Sequence, residues 1–253
     1  MSTRPTTAST NAFGVTLNDN GANQSVSRGT TDYAGNSASA SVSGISIDRE
    51  APSIISVNVA GQTFTLGAVP SPTCVADDSF SGLASCTVQV SGGLGLPNGV
   101  GTFNYTATAT DRAENKSTQS GTYRVIYNVP TDQAFFLQPS NDTAHMQSLN
   151  TSIFKGGSTV PVKFQLKKAN GAIVQANTSP IWEAPVKGSR ITAPVNESAY
   201  QDGGDTANTY RWDSTAQQYI YNWSTSGYAA GYYWRIGVKL DDGRTYYVNI
   251  GLR

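Results

Sequence analysis

The acidic residues best placed to do chemistry lie in a repeated pattern. The stretch TTDYAGNSAS at residues 30–39 is echoed by TDRAENKS at 110–117, and Asp111 follows Asp32 by 79 residues (111 − 32). In such an Asp-x-Ala-x-Asn segment, the Asp and Asn side chains can hydrogen-bond nearby backbone groups and close a turn. Carboxylates can equally bind a hard cation such as calcium. The pattern predicts a turn that a repeated domain needs, with a metal site as the alternative.

Five acidic residues could contribute to such a metal site. Calcium takes roughly six to eight oxygen ligands, many of them from carboxylates. The candidate ligands are Asp48, Glu50, Asp77, Asp78 and Asp111. Asp48 and Glu50 lie where a new repeat begins, so we expect them to join the others at a domain junction. A structural calcium ion is the one cofactor that the sequence suggests.

Residues suited to catalysis are scarce by comparison. The single histidine, His145, stands in the polar stretch SNDTAHMQSLN, and no Gly-x-Ser-x-Gly segment is present to expose a nucleophilic serine. Zinc usually needs about three or four His, Cys or acidic ligands. The adjacent carboxylates Asp241 and Asp242 belong to DDGR, which is typical of a hairpin turn. We therefore predict that His145 lies in a surface loop, that no residue is catalytic and that the protein is not an enzyme.

The two cysteines, Cys74 and Cys86, flank the segment VADDSFSGLAS, which we predict to be a loop. They form either a disulfide or a pair of buried thiols. A Thr/Ser-rich, lysine-poor chain favours the disulfide, which stabilises a fold by about 3 kcal/mol in the loop-entropy model. Because such a bond persists only in an oxidising space, we predict an extracellular or cell-surface location.

Aromatic residues offer the best route to a ligand, because exposed Trp and Tyr rings can stack on sugars. All four tryptophans lie in the last third of the chain. Tyr219 and Trp223, with Tyr221 between them, have the spacing of one buried strand face. The outward candidates for carbohydrate binding are Tyr228, Tyr232 and Tyr247.

The composition excludes several classes of partner. Only 13% of the 253 residues are charged, against about 25% in an average soluble domain, and 17 basic residues balance 17 acidic ones. Without a basic surplus, the chain has no general attraction for nucleic acid or an anionic membrane surface. No apolar run approaches the roughly 20 residues that a membrane-spanning helix needs.

Hydrophobic periodicity predicts an all-β fold made of tandem sandwiches. In VPVKFQLK (160–167), apolar and polar residues alternate with the period of two that a strand requires. The last segments alternate in the same way on both sides of the DDGR turn, from Trp234 to Leu240 and from Tyr246 to Leu252. Short alternating segments between Gly, Asn, Asp, Ser and Pro are typical of all-β sandwich proteins.

The first half of the chain resembles a known family. The stretches GANQSVSRGTTDYAGNSASASVSGISIDREAPSI (21–54) and PTCVADDSFSGLASCTV (72–88) resemble the Ig-like, HYR-like repeats of bacterial extracellular proteins. The position of Gly35 in the first repeat is Glu114 in the second, where a positive φ would cost glutamate about 1 kcal/mol or more.

Residues 132–253 resemble a second family, the PxKF domain often found at the C-terminus of secreted bacterial proteins. Pro161, Lys163 and Phe164 form the P-x-K-F itself. Further matching stretches are FFLQP (135–139), KGGSTVPVKFQL (155–166), YRWDSTAQQYIYNW (210–223) and LDDGRT (240–245).

These resemblances imply three domains and a structural role. We expect a truncated Ig-like repeat at 1–48, with about three closing strands and no opening ones, a complete repeat at 49–129 and a PxKF-type sandwich at 130–253. We therefore expect Met1 not to be the natural start of the fold. The predicted role is a spacer and display module working with upstream domains of a longer parent chain. The alternatives are an adhesion module that binds cell-surface polysaccharide and an accessory domain of an extracellular hydrolase.

Overall fold

A computed structural model describes residues 14–93, 99–129, 135–140 and 151–253. All the regular elements in these ranges are β-strands, which confirms the predicted all-β class. The strands are β1 (Gly21–Thr31), β2 (Ser37–Ile47), β3 (Ser53–Val57), β4 (Thr63–Thr65), β5 (Cys74–Asp77), β6 (Leu83–Gly92), β7 (Gly101–Asp111), β8 (Lys116–Ile126), β9 (Phe136–Leu137), β10 (Ile153–Phe154), β11 (Thr159–Phe164), β12 (Leu166–Lys167), β13 (Ile173–Val174), β14 (Ile181–Arg190), β15 (Arg211–Asp213), β16 (Gln218–Ser224), β17 (Tyr232–Lys239) and β18 (Thr245–Leu252).

The chain forms two compact units, each built from several segments. Unit 1 comprises Met1–Val57, of which residues 14–57 are described, together with Thr73–Val88 and Ala107–Gln119. Unit 2 comprises Asn58–Pro72, Gln89–Thr106 and Ser120–Arg253. The division into domains at 1–48, 49–129 and 130–253 stays a prediction.

Unit 1 contains two small antiparallel sheets. One is the hairpin β1–β2, in which Thr31 pairs with Ser37, and the other is β3–β5. Residues 14–48 therefore contain two strands rather than the three closing strands expected. Most side chains of the hairpin are exposed, since its strands consist mainly of Ser, Thr, Ala and Gly.

A four-stranded sheet has the order β4-β8-β7-β6, and the division into units falls within its strands β6, β7 and β8. Its central strand β7 alternates buried and more exposed residues, as expected for a strand with one face in a core. The buried side chains of this strand include Phe103, Tyr105, Ala107 and Ala109. In β8, Tyr123 and Val125 continue the same alternation.

The C-terminal part of unit 2 is a β-sandwich of two four-stranded sheets, β10-β18-β17-β14 and β15-β16-β11-β9. Rings from the two sheets meet in the core, where Trp182 of β14 stacks on Tyr221 of β16 with ring centroids 4.2 Å apart. The predicted strand at 160–167 is confirmed as β11 and β12. Its inward residues Val160, Val162, Phe164 and Leu166 have no exposed surface.

The predicted last hairpin is also confirmed. Strands β17 and β18 pair antiparallel from Tyr232 and Leu252 to Lys239 and Thr245, and DDGR forms the turn between them. Gly243 has a φ of +84° in this turn, a conformation that favours glycine because it has no Cβ.

Candidate metal centre

The first Asp-x-Ala-x-Asn segment is a hydrogen-bonded turn between β1 and β2. Both Ala34 and Asn36 donate their backbone N–H groups to Oδ1 of Asp32 at 2.9 Å. The Asn36 side chain donates to Oδ2 of the same carboxylate, also at 2.9 Å. These hydrogen bonds, led by the one from the Asn36 side chain, lower the pKa of Asp32 from its ordinary value.

The second segment forms the matching turn between β7 and β8. The Asn115 backbone N–H donates to Oδ1 of Asp111 at 2.8 Å, and its side chain donates to Oδ2 at 2.7 Å. Glu114 adopts a φ of 70° where Gly35 adopts 88° in the first turn. The turn interpretation is thus what the geometry shows in both copies. The alanines do not point inward, because Ala34 and Ala113 are both exposed.

The second turn also takes part in an acidic cluster, which consists of Asp48, Asp78 and Asp111. One carboxylate oxygen from each residue lies within 4.8 Å of the other two. Asp48 follows β2, Asp78 follows β5 and Asp111 ends β7, so three strand ends bring the carboxylates together. Asp111 is buried, with 1% of its surface exposed, and the other two are half-buried.

Neutral groups donate hydrogen bonds to these carboxylates. Ser81 donates its backbone N–H to Asp48 at 3.0 Å and its hydroxyl to Asp78 at 3.3 Å. Hydrogen bonding to the Ser81 side chain is the main cause that lowers the pKa of Asp48 from its ordinary value, and partial desolvation opposes it. Asp78 also accepts the Gly82 N–H at 2.8 Å. The ion pairs Arg211–Asp205 and Arg244–Asp242 lie elsewhere in the described ranges, and the Arg112 guanidinium lies near Gly82.

The donor set fits a hard cation. Three carboxylates held this close repel one another unless a positive charge lies among them, and calcium binds oxygen ligands of this kind. Three of the five predicted ligands therefore lie together. Glu50 is exposed and accepts a hydrogen bond from Asn20 at 3.2 Å, and Asp77 is exposed at the end of β5; neither belongs to the cluster.

Ser81 bridges two of the three carboxylates and was not among the predicted site residues. The local signal is the run Asp-Ser-Phe-Ser-Gly at 78–82, since an Asp followed by Ser and Gly is typical of a turn that the Asp side chain closes. The contact of Ser81 with Asp48, which is 33 residues away, has no local signal.

The predicted disulfide joins Cys74 and Cys86, and no free cysteine is present. The segment between the two cysteines is a loop only at residues 78–82, because β5 and β6 cover its ends. Since β5 pairs with β3 whereas β6 is the outer strand of the sheet β4-β8-β7-β6, the bond links two sheets. The Asp, Ser and Gly residues between the cysteines hid the ends of the strands CVAD and LASCTVQVSG.

The three tyrosines proposed for carbohydrate binding have different environments. Tyr228 and Tyr232 are half-buried rather than outward, and only Tyr247 is exposed, at 42%. The Tyr228 ring packs edge-on against Trp223 and Trp234 of the core, at 4.9 and 5.0 Å between ring centroids. As expected, Tyr219, Tyr221 and Trp223 are buried core residues.

The rings of the other two tyrosines face cations. The Lys187 Nζ lies 3.5 Å from the centroid of the Tyr232 ring, and the guanidinium carbon of Arg235 lies 4.7 Å from that of Tyr247. Such contacts are cation–π interactions. His145 lies outside the described residues. No helix in the described part of the chain has the length and apolar character to cross a membrane.

No family model and no curated protein matches the chain. Among solved structures, it is similar to a mixed-linkage glucan utilization protein of Bacteroides ovatus, SGBP-B, solved in complex with a heptasaccharide, with 13% identity and a TM-score of 0.24. That match covers 81% of this chain and 48% of the other, so the chain spans about half the length of that protein.

Two further structures have a similar degree of likeness. The Ig1-2 module of the Drosophila receptor protein tyrosine phosphatase DLAR has 16% identity and a TM-score of 0.24, over 81% of this chain and 100% of the other. The EC1-3 region of mouse PcdhgC3 has 12% identity and a TM-score of 0.23, over 91% and 76%. The all-β class therefore rests on the strands described above.

Proposed function

We propose that the protein is a non-catalytic structural module that spaces and displays other parts of a secreted or surface-attached protein. The observation that carries this proposal is the repeated Asp-x-Ala-x-Asn segment, whose carboxylates hold their own turns by accepting hydrogen bonds from Asn36 and Asn115. The resemblances to Ig-like, HYR-like repeats and to PxKF domains support the same role.

The disulfide supports the location. Cys74 and Cys86 are bonded between two strands, and such a bond resists reduction only outside the reducing cytosol. A spacer works through its length and stability rather than through particular exposed side chains. Sheets joined by a covalent link suit that role, because the link limits the conformations of the unfolded chain.

Fractionation of the source cells tests the location. An antibody against residues 151–253 should detect the protein in the medium or at the cell surface, with neither cysteine open to a thiol reagent before reduction. A cytoplasmic protein with two reactive thiols would overturn the proposal. In the native context, replacing residues 21–253 by an unrelated β-sandwich module of similar length should preserve display. Loss of display after that replacement would show that specific side chains are needed.

As a second candidate role, we propose that the acidic cluster binds a structural calcium ion. Asp48, Asp78 and Asp111 would supply carboxylate oxygens, and the ion would offset their mutual repulsion. An ion that binds the folded state alone stabilises it, by about 2.7 kcal/mol at a concentration a hundred times its Kd.

Neighbouring aspartates provide a matched pair of variants for this test. The melting temperature of the wild-type protein should be higher in calcium than in chelator. The variant Asp77→Asn, which lies outside the cluster, should show the same difference in melting temperature. Asp78→Asn should lose the difference while keeping its acceptor for the Gly82 N–H. Identical melting curves for the wild-type protein with and without calcium would remove the metal from the proposal.

Carbohydrate binding is the alternative function, and the exposure of Tyr247 on the outer face of β18 favours it. Tyr247→Ala should abolish retention on insoluble polysaccharide if that ring stacks on sugar. Tyr33→Ala, which removes an exposed tyrosine from the β1–β2 turn, is the matched control. Absence of retention of the wild-type protein on any glycan would exclude this alternative.

A further inference from the structure

The DDGR turn carries a buried carboxylate that a simple hairpin turn does not need. The Asp242 side chain is 0% exposed, and its Oδ2 lies 2.6 Å from Nη2 of Arg244. Nε of Arg244 donates to the same oxygen at 2.9 Å, while Oδ1 accepts the Arg244 backbone N–H at 2.9 Å. A buried charge requires partners of this kind, because an uncompensated carboxylate is costly away from water.

The same ion pair holds the chain segment that follows β8. The backbone N–H of Tyr127 donates to Oδ2 of Asp242 at 3.2 Å, and its carbonyl accepts from Nη2 of Arg244 at 2.8 Å. Arg124, near the end of β8, donates from Nη2 to the Asp242 carbonyl at 2.8 Å. We call Asp242, Arg244, Arg124 and the Tyr127 backbone the clamp. All four residues belong to unit 2.

Further backbone bonds lie beside the clamp. Asn128 donates its N–H to the Lys167 carbonyl at 2.8 Å, and Ala169 donates to the Leu66 carbonyl at 2.8 Å. The side chain of Tyr127 is buried, and this burial, with the nearby Asp241 as a smaller cause, raises the pKa of its hydroxyl above the ordinary value. Tyr127 therefore stays neutral at neutral pH.

We propose that the clamp makes residues 120–126 of β8 and the C-terminal sandwich one cooperative folding unit, so that residue 129 is not a free hinge. Charge-assisted hydrogen bonds are stronger than neutral ones, and removal of one partner from a buried pair is strongly destabilising. A stiff connection of this kind would extend the proposed spacer role. Its test depends on how unit 2 unfolds and not on where the protein is located.

Native-state hydrogen exchange, read by mass spectrometry in increasing denaturant, tests the clamp in the full chain. In the wild-type protein, the slowest amides of β8 and of β16 should open with the same free energy, as members of one cooperative unit. Asp242→Asn removes the charge but keeps the shape. The β8 amides should then exchange about ten- to a hundredfold faster relative to those of β16.

Asp213→Asn is the matched control for that variant. Asp213 also closes a turn of the sandwich, by accepting the N–H groups of Thr215 and Ala216 at 3.0 Å, and both of these hydrogen bonds stay within that turn. It should leave the ratio of β8 to β16 exchange unchanged. If wild-type β8 opens independently of β16, or if Asp242→Asn speeds both strands equally or neither, the clamp proposal is wrong.

A milder variant keeps the test decisive if Asp242→Asn does not fold. Arg124 is exposed, so Arg124→Met removes one hydrogen bond of the clamp without altering the sandwich. It should speed β8 exchange about fivefold relative to β16. Lys116→Met, which removes another exposed cation from the same strand, should have no such effect. Equal behaviour of the two variants would overturn the proposal.

Discussion

Asp32 and Asp111 begin turns with matching hydrogen bonds, yet Asp32 is exposed whereas Asp111 has 1% of its surface exposed. The side chain of Asn115 in the second turn also donates to the carbonyl of Asp48 at 3.2 Å, and these two residues are 67 positions apart in the sequence. The five-residue pattern therefore encodes a turn by itself. What the turn does for stability depends on the strands that pack around it.

The largest difference between the surroundings of the two turns is a disulfide. It joins Cys86, in the sheet that contains the second turn, to Cys74 in β5, and the β1–β2 hairpin around the first turn has no such bond. The double variant Cys74→Ser, Cys86→Ser should lower the free energy of unfolding by about 3 kcal/mol, because the unfolded chain gains freedom. Urea unfolding followed by far-UV circular dichroism measures the loss. A loss below about 1 kcal/mol would contradict the expectation, and the amide shifts of the Asp32 turn should not change.

The next largest effect is the difference in stability between variants of the two aspartates. Asp111→Ala should lower the free energy of unfolding by about 2–3 kcal/mol, because it leaves two part-buried donors of Asn115 without their acceptor. Asp32→Ala should have a much smaller effect, since water can replace its acceptor at an exposed turn. The same urea experiment compares them. Equal losses would mean that burial adds nothing to the second turn.

Substitution of the residues with positive φ, Glu114 and Gly35, tests the comparison further. Glu114→Gly should stabilise the second turn by about 0.5–1 kcal/mol, because glutamate at positive φ is strained. Gly35→Glu should destabilise the first turn by about the same amount, and for backbone reasons alone, since no atom lies within 4 Å of the Cβ position at Gly35. Opposite signs in thermal unfolding are expected, and equal signs would show that another contact of Glu114 matters.

The smallest effect concerns protonation of the first turn. The hydrogen bond from Asn36 lowers the folded-state pKa of Asp32 from 3.8. The ionised carboxylate therefore stabilises the fold above pH 3.8, and this stabilisation is lost as the pH falls through the folded-state pKa. Asn36→Ala should raise the pKa of Asp32 toward 3.8 in an NMR titration. Asn23→Ala, in the same hairpin, should leave it unchanged. An unshifted pKa in Asn36→Ala would mean that the amide does not stabilise the charge.

Features set by neighbouring residues were predictable from the sequence. The alternation at 160–167 gave the buried face from Val160 to Leu166, and DDGR gave the last hairpin turn. The alignment of Glu114 with Gly35 raised the question of a positive φ at Glu114, and the structure shows one of 70°. In each case the period of a strand or the chemistry of a turn acts over a few residues.

Features set by distant residues were not predictable. The pattern could not show which three of five carboxylates meet, because that depends on where β2, β5 and β7 end relative to one another. Asp242 was recognised only as a turn residue, since its contact with Tyr127 joins positions 115 residues apart. Tyr228 was expected to be outward, and its packing against Trp223 and Trp234 likewise arises only in the folded sandwich.

The placement of the four tryptophans decides what an optical experiment can detect. Trp182, Trp212, Trp223 and Trp234 all belong to unit 2, and unit 1 contains none. A melting curve followed by indole emission therefore records the loss of unit 2 alone. Both Asp-x-Ala-x-Asn turns belong to unit 1 and are silent in such a curve. A single fluorescence transition would thus give the stability of the sandwich, and the difference between the two turns would not be detected.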